Sequence, residues 1–303
     1  MTNEPSMVGH FGLKLRMVLA GSILFAFYAA IAAYAYAAYG GGILPLVLVG
    51  SLLFVGFQYK FGKWAALKSV GAEDMPEGGE YGQIHQRVEQ LSRDMGIEKP
   101  RLMVAEMGVP NAFAVGRKGA GTVVVSEEIV QLLERDELEG VLAHELAHIR
   151  NRDVVVMVLG QSIASMVGIL VQFAVLFSGR RGIGQYFLAM IAGTISQMLV
   201  MIFVLAISRY REYVADADAA EATNNPDAMA RALQKISDGA ERAQEAQSAR
   251  SPGRGRQRQQ QQNPLESQDQ VSALMINNSS RGLLQTVFAT HPPIEKRIQR
   301  LRG

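Results

Sequence analysis

Residues 141–150 read VLAHELAHIR, with His144 and His148 four residues apart and Glu145 directly after the first. Four residues make about one helical turn, so both imidazoles share a face and can each point a ring nitrogen at one metal ion. Glu145 lies about 100° round the same helix. From there its carboxylate reaches a water beside the metal, but it is too far round to be the natural third ligand. This is the mechanical reason for the H-E-x-x-H spacing of zinc proteases, in which the glutamate is the general base. The chain has no cysteine, so any transition metal must be held by histidine and carboxylate.

A third ligand has to come from elsewhere. The extended H-E-x-x-H-x-x-G-x-x-H pattern is excluded, because Asn151 and Val154 stand in its last two fixed places. Further on, SRYREYVADADAAEATNNP carries Glu212 and Asp216, again four apart and on one helical face. Glu212 completes a His–His–Glu set that leaves a fourth position for water. Asp216, one turn on, is placed to accept the second ring N–H of a ligand histidine and fix its tautomer. Read alone, the stretch is more simply a solvated charged helix start. Read with HELAH and an apolar hairpin that returns the chain to the same surface, the ligand reading prevails.

The segments around these residues are unusually apolar. Hydrophobic residues make up 49% and charged residues 19%, below the usual quarter of a soluble protein. Charge is absent throughout 17–59, 154–177 and 182–208. A bilayer core of ~30 Å needs about 20 such residues in a helix. Four transmembrane helices are predicted, in two hairpins: 17–38 and 42–59, then 154–177 and 186–208. A cleavable signal peptide is a poor reading of the first, which exceeds an apolar region of roughly 7–15 residues and is followed at once by another span. Gln161, Ser162 and Gln172 in the third span, and Thr194, Ser196 and Gln197 in the fourth, would hydrogen-bond between the two helices. They also leave open a pair of buried core helices in a soluble domain.

Lys14, Arg16, Lys60, Lys63 and Lys68 flank the first hairpin, and Arg150, Arg152, Arg209 and Arg211 flank the second on the same side. The positive-inside rule then puts both termini and the protease domain in the cytoplasm, in a multi-pass plasma-membrane protein. Arg180 and Arg181 in the outer turn run against this and leave open whether the second hairpin fully crosses. A net charge of +2, without a basic stripe interleaved by aromatics, gives no basis for a nucleic-acid partner.

The chain divides into a cytoplasmic segment 1–16, hairpin 17–59, a first protease part 60–153, hairpin 154–208 and a second part 209–303. In the first part, Ile84, Val88, Leu91 and Met95 have helical spacing. RLMVAEM, NAFAVG and GTVVVS read as short strands. Ser126 is a natural N-cap for SEEIVQLLE, and Asp136 with Glu139 makes a capping-box-like start for the HELAH helix. The second part contains a Gln/Arg-rich insertion at about 239–270, too poor in large apolar residues to fold alone and read as disordered. His10 and His85 have no partner at ligand spacing.

HELAHIRNRD, SRYREYVADADAA, PNAFAVG and THPPIEKRIQRL together resemble the HtpX-type membrane metalloproteases, relatives of the prenyl-protein (CAAX) endopeptidases. The resemblance covers nearly the whole chain, four motifs occurring in the family's order; the insertion departs from the compact members. It implies an α+β, mainly helical, gluzincin-like fold with one zinc per chain, held by His144, His148 and Glu212, and Glu145 as general base. It also implies quality-control cleavage of damaged membrane proteins at the cytoplasmic face. An extended substrate would lie along an edge strand formed by Asn111, Ala112, Phe113 and Ala114. His291 is a candidate oxyanion stabiliser, and Arg297 a structural partner for an acidic group near the site. Two alternatives stay open: a non-catalytic scaffold in which zinc only holds the domain together, and a dedicated prenyl-protein endopeptidase. Neither substrate nor oligomeric state is legible.

Overall fold

The computed structural model describes residues 37, 42, 44–178, 182–250 and 291–303. They fall into two compact units. The first comprises Lys63–Val154 and the described part of Arg211–Gly303; the second comprises 44–62 and Val155–Tyr210.

Helix α1 (Leu44–Ser69) belongs to the second unit up to Gly62; in the first unit, helix α2 (Gly82–Asp94) buries the predicted stripe of Ile84, Val88 and Leu91. Gly96, at φ 66°, reverses the chain into a four-stranded sheet. Its strands are β1 (Glu73–Asp74), β2 (Arg101–Ala105), β3 (Ala112–Val115) and β4 (Thr122–Ser126), in the order β1-β2-β4-β3. β2 and β4 run parallel, with Arg101 opposite Thr122 and Ala105 opposite Ser126. β3 returns antiparallel to β4 and forms the sheet's edge. The turn between them requires glycine: Gly116 sits at φ 109°, and a Cβ there would lie 2.4 Å from the Ala120 carbonyl oxygen.

Ser126 ends β4 and caps helix α3 (Glu127–Leu132), its hydroxyl accepting from Ile129 N at 3.1 Å as expected. Helix α4 (Arg135–Arg150) carries HELAH and packs on β3 and on helix α7 (Pro226–Arg250). Its capping box is Glu134 with Glu137, two residues before the expected Asp136 and Glu139. The earlier start is favoured because Glu137, fully buried, is met by Lys235 Nζ at 2.8 Å and Arg231 Nε at 3.3 Å from α7. A further correction concerns the insertion. Residues 239–250 are the last turns of α7, with Ala240 buried and Gly239 against Pro110. The rest of the insertion falls on 251–270, outside the described residues. The last element is helix α8 (Ile294–Arg302), packed on α7.

Two described helices are long and apolar enough to cross a membrane: α5 (Asp153–Ser178) and α6 (Ile183–Thr223). Only 22% and 17% of their most apolar windows are buried, so the core-helix reading fails; Phe173, Phe177, Phe187 and Phe203 stand outward. Of the four predicted spans these are the two found among the described residues. The span at 17–38 lies outside them except for position 37, as does the Arg180–Arg181 turn; the span at 42–59 falls largely in α1. Within the second unit α5 and α6 approach closely at glycines, where a Cβ on Gly193 would lie 2.6 Å from Gly168 O. Gln197 reaches Ser165 Oγ across the pair at 3.5 Å, whereas Ser162 donates back to Val158 O in its own helix.

Candidate metal centre

α4 buries His144 and Glu145 and leaves His148 part-exposed. The helix stops at Asn151, whose side chain donates to Asp218 at 2.9 Å. Arg152 then takes a left-handed backbone, φ 58°, which turns the chain at once into α5. α6 runs unbroken for 41 residues, from its membrane-length part into REYVADADAA. The acidic motif is thus the buried continuation of the fourth span, not a solvated helix start: Arg211, Glu212, Asp216 and Asp218 are all buried.

The two histidine Nε2 atoms face each other at 3.1 Å. Glu212 closes the triangle, Oε2 lying 3.7 Å from His144 Nε2 and Oε1 3.5 Å from His148 Nε2. Ligand nitrogens bonded at ~2.0–2.1 Å to a tetrahedral zinc stand about 3.3 Å apart, so the donor set and its spacing fit a single divalent ion. His144, His148 and Glu212 are the one cluster among the described residues able to hold a metal in this way.

Around them lies a second set of buried groups. Asp216 Oδ1 is 3.0 Å from His144 Nδ1. Asp216 is itself clamped by Arg297, whose Nε and Nη2 donate at 2.8 and 2.6 Å; Nη1 is 3.4 Å from Glu212. Arg297 is fully buried and comes from α8. His291, just before that helix, brings Nδ1 to 2.9 Å from Glu212 Oε2. On the other side, Asp153 Oδ2 is 2.6 Å from His148 Nδ1, and its Oδ1 is 2.5 Å from Arg211 Nη2.

Burial disfavours a charged imidazole at both histidines. At His144 the Asp216 and Glu212 carboxylates outweigh it and raise the ring to about 9; at His148 burial prevails and lowers the ring to about 4. Burial also raises Glu145 above the usual carboxylate value, opposed by the two imidazoles.

Sequence reasoning missed Asp153 and Arg211. In sequence Asp153 stands at the end of the soluble part and Arg211 reads as a flanking positive charge. The available signal was Arg211 directly preceding Glu212. The edge strand also needs refinement. Ser126 N donates to Asn111 O at 2.8 Å and Asn111 N donates to Ser126 Oγ at 3.0 Å, so Asn111 spends its main chain on β4. By strand alternation Phe113 also faces β4, and Ala112 and Ala114 turn their N–H and C=O groups away from β4, towards the edge of the sheet. All four residues are buried.

An H-E-x-x-H helix meeting a downstream glutamate, in a mainly helical chain with membrane-length helices, defines a membrane metallopeptidase. The chain belongs to peptidase family M48, whose profile matches residues 80–303. It is 59% identical to a protease HtpX homolog of Halobacterium salinarum over 290 residues, 95% of this chain and all of that one. To the homolog of Pyrococcus abyssi it is 38% identical over 247 residues, 79% of this chain and 77% of that one. The crystal structure of S. mikatae Ste24p superposes with a TM-score of 0.58 at 14% identity, covering 96% of this chain. This chain spans only 65% of Ste24p, so that likeness concerns the fold.

Proposed function

We propose that the chain is a zinc-dependent endopeptidase that cleaves damaged or misfolded membrane proteins at the cytoplasmic face of the plasma membrane. The observation that carries this is the convergence of His144, His148 and Glu212 beside the buried carboxylate of Glu145, which is not one of the cluster's ligand groups. A site built only to brace the fold would have no use for such a carboxylate, which argues against the scaffold alternative. The span shared with the H. salinarum HtpX homolog, 95% of this chain and all of that one, favours this reading over a dedicated prenyl-protein endopeptidase.

Zinc, when held by His144, His148 and Glu212, supplies Lewis acidity that polarises the scissile carbonyl and acidifies water. Glu145 takes the proton from the attacking water and passes it to the leaving amine. Its raised affinity for a proton suits both halves of that transfer. Asp216, held by Arg297, fixes the His144 tautomer so that Nε2 faces the centre. His291 stabilises the developing oxyanion, and Ala112 and Ala114 offer main-chain groups to an extended substrate. Basic flanks on one side of the membrane-length helices support the cytoplasmic orientation.

The test is metal content and casein cleavage of the detergent-purified protein beside its Glu145→Gln variant. One zinc per chain in both, with cleavage lost only in the variant, is the expected result. Cleavage near the wild-type rate in Glu145→Gln would remove the mechanism.

A further inference from the structure

We propose that Asp153 and Arg211 form a positioning pair for His148, matching the pair Asp216 and Arg297 that serves His144. The inference rests on the metal reading above. His148 has two ring nitrogens, and only Nε2 faces Glu212 and His144. Nδ1 is 2.6 Å from Asp153 Oδ2, so a proton on Nδ1 is held there and the Nε2 lone pair is left for the ion. Nothing in the imidazole fixes this choice, since either tautomer is open to an unheld ring.

Asp153 needs holding in turn. It is the first residue of α5, and the left-handed Arg152 brings it back beside the ring five residues earlier. Its other oxygen is 2.5 Å from Arg211 Nη2. Arg211 is 4% exposed at its side chain and Asp153 8%, so this is a buried ion pair rather than a surface contact. The remaining nitrogens of Arg211, Nε and Nη1, have no hydrogen-bond partner among the described residues. Asp153 is therefore the carboxylate in direct contact with Arg211 among the described residues, with the charge of Glu212 also favouring the guanidinium. Arg211 also immediately precedes Glu212, so one turn of α6 supplies both a ligand and the anchor for a second ligand.

A merely structural ion pair makes a different prediction from a positioning pair. Removing one member of a buried pair leaves an uncompensated charge, and removing both restores stability. Tautomer control does not return with stability. The experiment compares wild type, Asp153→Asn and Asp153→Asn/Arg211→Met as full chains in detergent. Zinc affinity is read by chelator competition, ligand geometry by the visible spectrum of the cobalt-substituted protein, and stability by thermal melting. The double variant is expected to melt near wild type while binding zinc roughly 10–100-fold more weakly, with a shifted cobalt spectrum. A double variant with wild-type affinity and spectrum overturns the inference, and so does one that fails to fold. Wild-type protein that binds no zinc would end the metal reading itself. Equal binding by wild type and double variant ends only this inference.

Discussion

Glu212 is approached by four groups: the two histidines, His291 and Arg297. Truncating it to alanine should empty the centre while leaving the carboxylate–arginine pairs around it in place. Metal analysis checks this, and one zinc per chain in Glu212→Ala would remove it as a ligand. His291 touches Glu212 without belonging to the metal-holding cluster. His291→Ala should accordingly keep its zinc and lose kcat by roughly 10²–10³-fold with KM little changed. Unchanged kcat would reduce His291 to a Glu212 support. At this scale the sequence was most legible where spacing alone carries geometry. His144 with His148, and Glu212 with Asp216, are each one helical turn apart. Asp153 and Arg211 were opaque, because a five-residue interval across a left-handed residue has no helical periodicity to read.

α4 is pinned to α7 at its first turn. Glu137 closes the capping box by accepting from Glu134 N at 2.9 Å and is held by Lys235 and Arg231. Burial alone would raise its pKa, but Lys235, the cap N–H and Arg231 together bring it below the ordinary 4.5. A depressed folded value gives stability that is complete above the unfolded pKa and is lost as pH falls through the folded one. Glu137→Ala should therefore lower the melting temperature by a few degrees near neutrality, in line with about 1 kcal/mol for a lost cap. The difference from wild type should shrink below pH 4.5. A gap that stays constant down to pH 3 would assign the effect to packing instead. The helix itself was foreseeable from apolar spacing, whereas its start was not. Glu134 and Asp136 are both plausible caps in isolation, and the choice is made by cations nearly a hundred residues away on α7.

For the whole molecule, the charge-free runs at 154–177 and 182–208 pointed to the two membrane-length helices found among the described residues, since a bilayer core disfavours charge. What they did not disclose is that α6 continues without a break into the metal-binding motif. A change from apolar to acidic composition reads as a boundary, although a helix backbone needs none. Packing of α5 on α6 offers a test of the hairpin. Gly193→Leu must push against the Gly168 carbonyl, while Gly184 faces open space. Leucine at 193 should destabilise the detergent-solubilised protein by about 1–3 kcal/mol, and leucine at 184 should be neutral in the same melting assay. Equal melting of the two variants would show that this close approach does not hold the hairpin. Arg297 brings a different kind of consequence, one of timing. It pairs with Asp216 eighty-one positions earlier and approaches His144 across 153. A ribosome therefore emits every metal ligand well before the guanidinium that balances the buried carboxylate beside them. A growing chain cannot complete this centre until α8 has emerged, so the ligands must wait, uncompensated, for a helix made some eighty residues after the last of them.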